Sequence, residues 1–326
     1  MQKRFETLLP KINIALLVFT SILITACLSA PSSETRVSGG FNFDTGPWLV
    51  PGADPSTSVT ITWTAADLND RTSVSFGYSG EELREFTADI DGHIRRAYID
   101  GLKPGIDYVY RIEGVDEQFE FTTPPGDGGM RFAIFGDMQS ANQISAVGNS
   151  IMSEALAGLD VDLYVQLGDL TEVAGNHENW LSVTDYITRF AASTPISPVP
   201  GNHDRYGDPT LRNFTTMFPE PFVETDAGYR SYNIGAFHFL FLDGFDSLLG
   251  TTMSDRQMAW AEADLKSSFE RGDAWTFVFL HNTIFTTATT LPVSPLRKWL
   301  VPLADAYGVD AVFFGHDHHY EHWEYE

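Results

Sequence analysis

Five short apolar runs in the 326-residue chain each close on side chains that bind metals, and their order defines a chemistry. RFAIFGDMQ reaches Asp137 and VDLYVQLGD reaches Asp169. ISPVPGNHD carries Asn202, His203 and Asp204. WTFVFLHN reaches His281, and VDAVFFGHDHH carries His316 and His318. A short apolar run stopped by glycine and a polar residue reads as a buried strand presenting a side chain at its C-terminal end. In open α/β sheets that edge is where ligands gather. Two Asp, one Asn and three His on one rim supply the oxygen and imidazole donors that two divalent or trivalent metals take.

The succession G-D-x-(G/H/Q), G-D, G-N-H-(D/E), a lone His behind a strand, and G-H-x-H resembles the calcineurin-like metallophosphoesterase superfamily over residues 131 to 319. Any one of these motifs alone is weak; five in order, each behind a strand, are specific. Upstream, G-L-K-P-G-x-x-Y-x-Y-R from Gly101 and F-x-T-P-P from Phe121 resemble the fibronectin type III-like N-terminal domain of purple acid phosphatases. The segment H-x-H-x-Y-E from His316 resembles their last motif, in which only the first two His are ligands. His319 and His322 are therefore set aside.

The resemblance implies a hydrolase of phosphate monoesters with two metal ions (iron, manganese or zinc) and a metal-bound hydroxide as nucleophile. Two metals clamp the attacking and leaving oxygens and bring the pKa of a bound water toward about 7. By position in the family pattern Asp169 bridges them. Asp137 and His318 complete the first site; Asn202, His281 and His316 complete the second. His203 is the implied general acid, and Asp204 the carboxylate expected to orient its imidazole. Arg205 is expected either to contact phosphate or to brace its loop.

Two positions depart from the pattern. Purple acid phosphatases place an iron-binding Tyr three residues after the bridging Asp, where this chain has Glu172. Other members place a His two residues after the first Asp, where this chain has Gln139. Gln139, Glu172 or water is then expected to complete the first site, and hard donors there suit manganese, iron or magnesium. The chain also ends eight residues after His318, where the resembled family continues with further strands. A C-terminal truncation is the corresponding expectation, with an exposed sheet edge.

The elements that must position these residues divide into two sets. From GPWLVPG to EQFEFTTPPG, short alternating strands without helical periodicity predict an all-β sandwich over residues 45–125, with Trp63 and Tyr110 in its core. After a Pro/Gly linker, strands alternate with helices, which predicts an α/β sandwich with mixed sheets over residues 130–326. NQISAVGNSIMSEALAGLD, SDRQMAWAEADLKSSFERG and PLRKWLVPLADAYG have helical spacing, the second with a capping-box pair in Ser254 and Gln257. RSYNIGAFHFLFLD reads as a hairpin in which His238 is packed rather than ligating.

Composition narrows the function. With 20 Lys+Arg against 44 Asp+Glu the net charge is −24, a surface that repels polyanions, so no nucleic-acid partner is expected. Lys3, Arg4 and Lys11 precede an apolar run ending Ile24-Thr25-Ala26-Cys27, which resembles a bacterial lipoprotein signal. Residues 1–26 are then the signal peptide, Cys27 the lipidation site, and 27–44 a tether. Export to the periplasm or cell surface follows; Leu28 after the cysteine suggests the outer membrane, with the lipid as the only membrane contact. Cys27 is the single cysteine, so no intrachain disulfide is possible. Two further readings stand beside the monoesterase: the same chemistry on phosphodiesters or nucleotides, and a catalytically inactive surface-binding lipoprotein.

Overall fold

The structure is a computed structural model that describes residues 45–140, 142–224, 227–246, 253–287 and 294–324. The expected signal peptide, Cys27 and the tether lie outside the described residues. No helix among the described residues is long and apolar enough to cross a membrane.

The N-terminal part is built from β1 (Trp48–Pro51), β2 (Val59–Thr64), β3 (Ser73–Tyr78), β4 (Arg84–Thr87), β5 (Asp89–Asp91), β6 (Ile94–Ile99), β7 (Asp107–Ile112) and β8 (Phe119–Thr122). They pair antiparallel into two four-stranded sheets, β1-β2-β6-β5 and β4-β3-β7-β8. Alternation puts Val74 and Phe76 of β3 inward, against Ile61 and Trp63 of β2 and Tyr108 and Tyr110 of β7. Trp63 and Tyr110 are buried core residues, as the alternation predicts.

The second part begins with β9 (Phe132–Phe135), α1 (Gln143–Ala157), β10 (Leu163–Gln166), α2 (His177–Ala191) and β11 (Ile196–Pro198). A 3-10 turn at His203–Arg205 and α3 (Arg212–Met217) follow. Then come β12 (Arg230–Ile234), β13 (Phe237–Phe241), α4 (Asp255–Arg271), β14 (Trp275–Phe279), α5 (Arg297–Tyr307) and β15 (Ala311–Phe313). One sheet, β11-β10-β9, is parallel; the other, β12-β13-β14-β15, is mixed, with β12 antiparallel to β13. The sheets face each other across a phenylalanine-rich layer that includes Phe132, Phe239, Phe277 and Phe279. Residues of α1 and α2 (Leu156, Trp180, Ile187, Phe190) cover the first sheet, and residues of α4 and α5 (Ala261, Leu265, Leu300) cover the second. Side chains buried on both faces explain why these strands read as continuous apolar runs.

The two parts are packed together. Trp48 of β1 is fully buried among residues of the second part, and its indole N–H donates to the Met217 carbonyl at 2.8 Å. The Tyr110 hydroxyl donates to the Ala192 carbonyl at 2.7 Å. Strands β9 and β15 are each the edge of their sheet, and a cavity of about 740 Å³ lies against both, reaching Asp137 and His318.

Candidate metal centre

Every ligand candidate stands just past the C-terminal end of a strand or in the loop that leaves it. Asp137 follows β9, Asp169 follows β10, Asn202 and His203 follow β11, His281 follows β14, and His316 and His318 follow β15. The turns are tight. Asp137, Asp169, His316 and His318 sit in the left-handed region, with φ of +56°, +55°, +81° and +53°. Such conformations cost about 1–3 kcal/mol each for non-glycine residues and persist only where the surroundings hold them. Here the turn folds each side chain back over the rim. Gly201 allows the Asn202 loop to approach, since a Cβ there would overlap the Asp169 carboxylate.

The result is two ligand triads that share one residue. Ligand atoms of Asp169, His281 and His316 lie within 4.8 Å of one another, and so do those of Asp137, Asp169 and His318. Asp169 Oδ2 is 3.1 Å from His281 Nε2, and its Oδ1 accepts from the His203 peptide N–H at 2.9 Å. His281 Nδ1 donates to the Leu167 carbonyl at 2.6 Å, which fixes the tautomer and aims Nε2 at Asp169 and at His316 Nδ1, 3.2 Å away. His318 Nε2 is 3.5 Å from Asp137.

Charge and burial set the protonation. Burial alone lowers the His281 pKa, but the adjacent Asp169 carboxylate outweighs it and raises the value to about 9. Burial pushes the Asp169 carboxyl up; the His281 ring and the hydrogen bonds from His281 and His203 reverse this and hold it below the usual range. Asp137 is raised, chiefly by burial. His316 is lowered, by burial and then by the neighbouring His281.

Two buried amide oxygens at this site have no hydrogen-bond partner among the described residues: Asn202 Oδ1 and Gln139 Oε1. The amide nitrogens are engaged, Asn202 Nδ2 with the Tyr206 hydroxyl at 2.8 Å and Gln139 Nε2 with His318 Nε2 at 2.9 Å and Asp169 Oδ2 at 3.3 Å. Unpartnered buried acceptors beside two carboxylates and three imidazoles fit hard or borderline cations.

Two expectations are corrected. Among the described residues Asp204 makes no hydrogen bond to the His203 imidazole. Its carboxylate is fully buried and accepts from the backbone N–H groups of Leu170 (3.0 Å), Thr171 (3.2 Å) and Gly201 (2.9 Å), so it clamps the Asp169 loop to the Asn202 loop. Burial, then the Asp169 charge, raises its pKa to about 7. The His203 ring is instead oriented by the Glu172 carbonyl, which accepts from Nδ1 at 2.9 Å. Glu172 itself joins neither triad; its carboxylate lies 3.9 Å from His203 Nδ1, so of the two extra ligand candidates only Gln139 reaches the cluster. Arg205 braces its loop, donating to the Pro209 carbonyl at 2.7 Å and pairing with buried Asp243.

Sequence reasoning missed three neighbours. Tyr206 packs its ring 4.7 Å from that of His203. Phe245 packs beside both His281 and His316, at 5.9 and 6.2 Å. Asp243 ties Arg205, the Gly228 N–H and the Phe245 N–H together. The signal for Asp243 was present, because FHFLFLDG is another apolar run closed by Asp-Gly.

The calcineurin-like phosphoesterase family model matches residues 130–320, more than half of the chain. The chain belongs to that family. Within it, purple acid phosphatase 21 of Arabidopsis thaliana is 26% identical over 284 residues, which cover 81% of this chain and 63% of that protein. Purple acid phosphatase 22 of the same plant is 26% identical over 243 residues, 72% of this chain and 54% of the relative. The chain thus spans between about half and two thirds of these relatives. In fold, a purple acid phosphatase from yellow lupin (Lupinus luteus) seeds superposes with a TM-score of 0.66 at 22% identity, over 83% of this chain and 57% of that one. That likeness bears out the mixed α/β fold, with a β region at its N-terminal end.

Proposed function

We propose that the chain is a dinuclear metal-dependent hydrolase of phosphate monoesters. The observation that carries this is the sharing of Asp169 between two ligand triads. Asp137, Asp169 and His318 would hold one ion, beside the Gln139 amide, whose nitrogen bonds Asp169 Oδ2 and His318 Nε2; Asp169, His281, His316 and Asn202 Oδ1 would hold the other. Bound there, two ions supply Lewis acidity to the phosphoryl oxygens and a water acidified toward a pKa of about 7. The neutral Asn202 oxygen leaves the second position more electrophilic than a third carboxylate would.

The protein's own groups then orient the reaction. His203 donates Nδ1–H to Glu172, and among the described residues its Nε2 has no hydrogen-bond partner. That nitrogen would be the proton donor for the leaving alkoxide, and the His203 peptide N–H fixes the Asp169 carboxylate. The two Arabidopsis relatives bear the name purple acid phosphatase, which supports monoesters as the substrate class. With Glu172 in place of the iron-binding Tyr, the loaded protein is expected to be colourless, and a visible charge-transfer band would count against this ligand set.

The test is hydrolysis of a chromogenic monoester by protein stripped of metal and reloaded with manganese, iron or zinc, beside Asp169→Asn. Metal-dependent turnover that Asp169→Asn abolishes supports the reading. Turnover of a diester chromogen alone moves the substrate class, and no turnover with any ion by folded protein refutes the hydrolase.

A further inference from the structure

We infer that Tyr206 is a positioning residue that orients the Asn202 amide toward the second ion, an inference that rests on the metal-centre reading above. Asn202 opens the 3-10 turn His203–Arg205, a position whose side chain commonly caps the first N–H groups, yet its side chain makes no capping bond. Its Nδ2 donates instead to the Tyr206 hydroxyl, four residues on, at 2.8 Å. The other end of the amide, Oδ1, is buried without a partner.

A side-chain amide is close to symmetric in shape but opposite in polarity at its two ends. Rotation by half a turn would replace an oxygen donor to the cation with an NH2 group that repels it. Nothing in Asn202 itself selects between the two orientations. In the observed arrangement the phenol oxygen accepts from Nδ2, which gives the NH2 end its partner and leaves the buried Oδ1 as the free end. A phenol can donate as well as accept, so it is a bound cation that would reject the flipped amide, and Tyr206 would hold the side chain in place by accepting from its NH2 end. The same ring packs against His203 at 4.7 Å and 51°. One exposed aromatic therefore contacts the proposed ligand through its hydroxyl and the proposed acid through its ring, and Tyr206→Phe removes only the first contact.

Isothermal titration of metal-free protein with manganese(II) separates these roles. Wild type is expected to bind two ions. Asn202→Ala identifies the step that belongs to its site. Tyr206→Phe should weaken that same step by about 10- to 100-fold, as loss of an outer partner of a metal ligand does, with the other step and the melting temperature of the metal-free protein unchanged. The double variant should bind no more weakly than Asn202→Ala, since the phenol acts through Asn202. Wild-type constants in Tyr206→Phe, or a further equal loss in the double variant, would overturn the inference. Fewer than two ions bound by wild type, or two bound unaltered by Asp169→Asn, would instead overturn the metal-centre reading.

Discussion

Asp204 offers a direct trial of whether the metal rim is held by backbone clamping. Three backbone N–H groups, from Leu170, Thr171 and Gly201, end on its fully buried carboxylate. Each buried donor left without an acceptor costs about 1–3 kcal/mol. Neighbouring bonds are not additive and water can enter a truncated site, so Asp204→Ala is expected to lose about 3–6 kcal/mol. That is a large part of the roughly 5–15 kcal/mol that stabilises a domain. Asp204→Asn keeps the shape and one acceptor oxygen but turns an NH2 toward another donor; a loss of about 1–3 kcal/mol is expected. Urea unfolding of the metal-free proteins gives both values without contributions from bound ions. The ring of His203 makes its hydrogen bond to Glu172 and none to Asp204 among the described residues, so His203→Ala should change stability by less than about 1 kcal/mol beside these losses. An Asp204→Ala variant as stable as wild type, or an Asp204→Asn variant whose only change is in the titration of the His203 ring, would refute the clamp and restore the imidazole-orienting role.

Three further outcomes are expected. A Cβ at Gly201 would lie 2.5 Å from the Asp169 amide nitrogen and 2.8 Å from its Cγ, so Gly201→Ala should displace the shared ligand; activity and bound metal should fall by about 100-fold while the fold persists by circular dichroism. Trp48 is fully buried between the two parts of the molecule, and Trp48→Ala should cost about 3–5 kcal/mol in urea unfolding, Trp48→Phe much less. Burial raises the Asp273 pKa, but the Arg271 guanidinium and the Ser268 hydroxyl outweigh it and hold the group below 3.8. A depressed carboxyl contributes stability above its unfolded value that is lost as pH falls through the folded one. Asp273→Asn should therefore flatten the acid limb of the stability curve below pH 3.8 and leave its slope above pH 5 unaltered.

What the sequence disclosed and what it concealed follow from the range of each interaction. The ligand candidates were legible because each rides a local signal, an apolar strand closed by a tight turn, and the strands place them on one rim whatever surrounds them. Helix α4 was legible for the same reason, and Ser254 does accept from Gln257 N–H at 3.2 Å. Yet the reciprocal half of that capping box is absent. The Gln257 side chain turns to the Asp243 backbone and the Asp246 carboxylate, because a buried amide takes whatever donors and acceptors the fold presents. Helix α2 escaped detection although its stripe through Trp180, Leu181, Thr184, Ile187 and Phe190 is buried, since it opens on the polar run Asn176-His177-Glu178-Asn179. That histidine is the exposed first residue of the helix. Strands β4 and β5 were hidden because they are largely exposed and polar, which leaves no alternation to read. The Asp204 clamp lies beyond any periodicity. Two of its three partners, Leu170 and Thr171, are more than thirty residues upstream in the chain, and they meet it only because Gly201 lets two loops approach to van der Waals distance. Residues that present chemistry are thus written in local pattern, whereas those that hold them in place depend on which loops cross. The second group is where substitutions remote from the motifs should alter metal affinity.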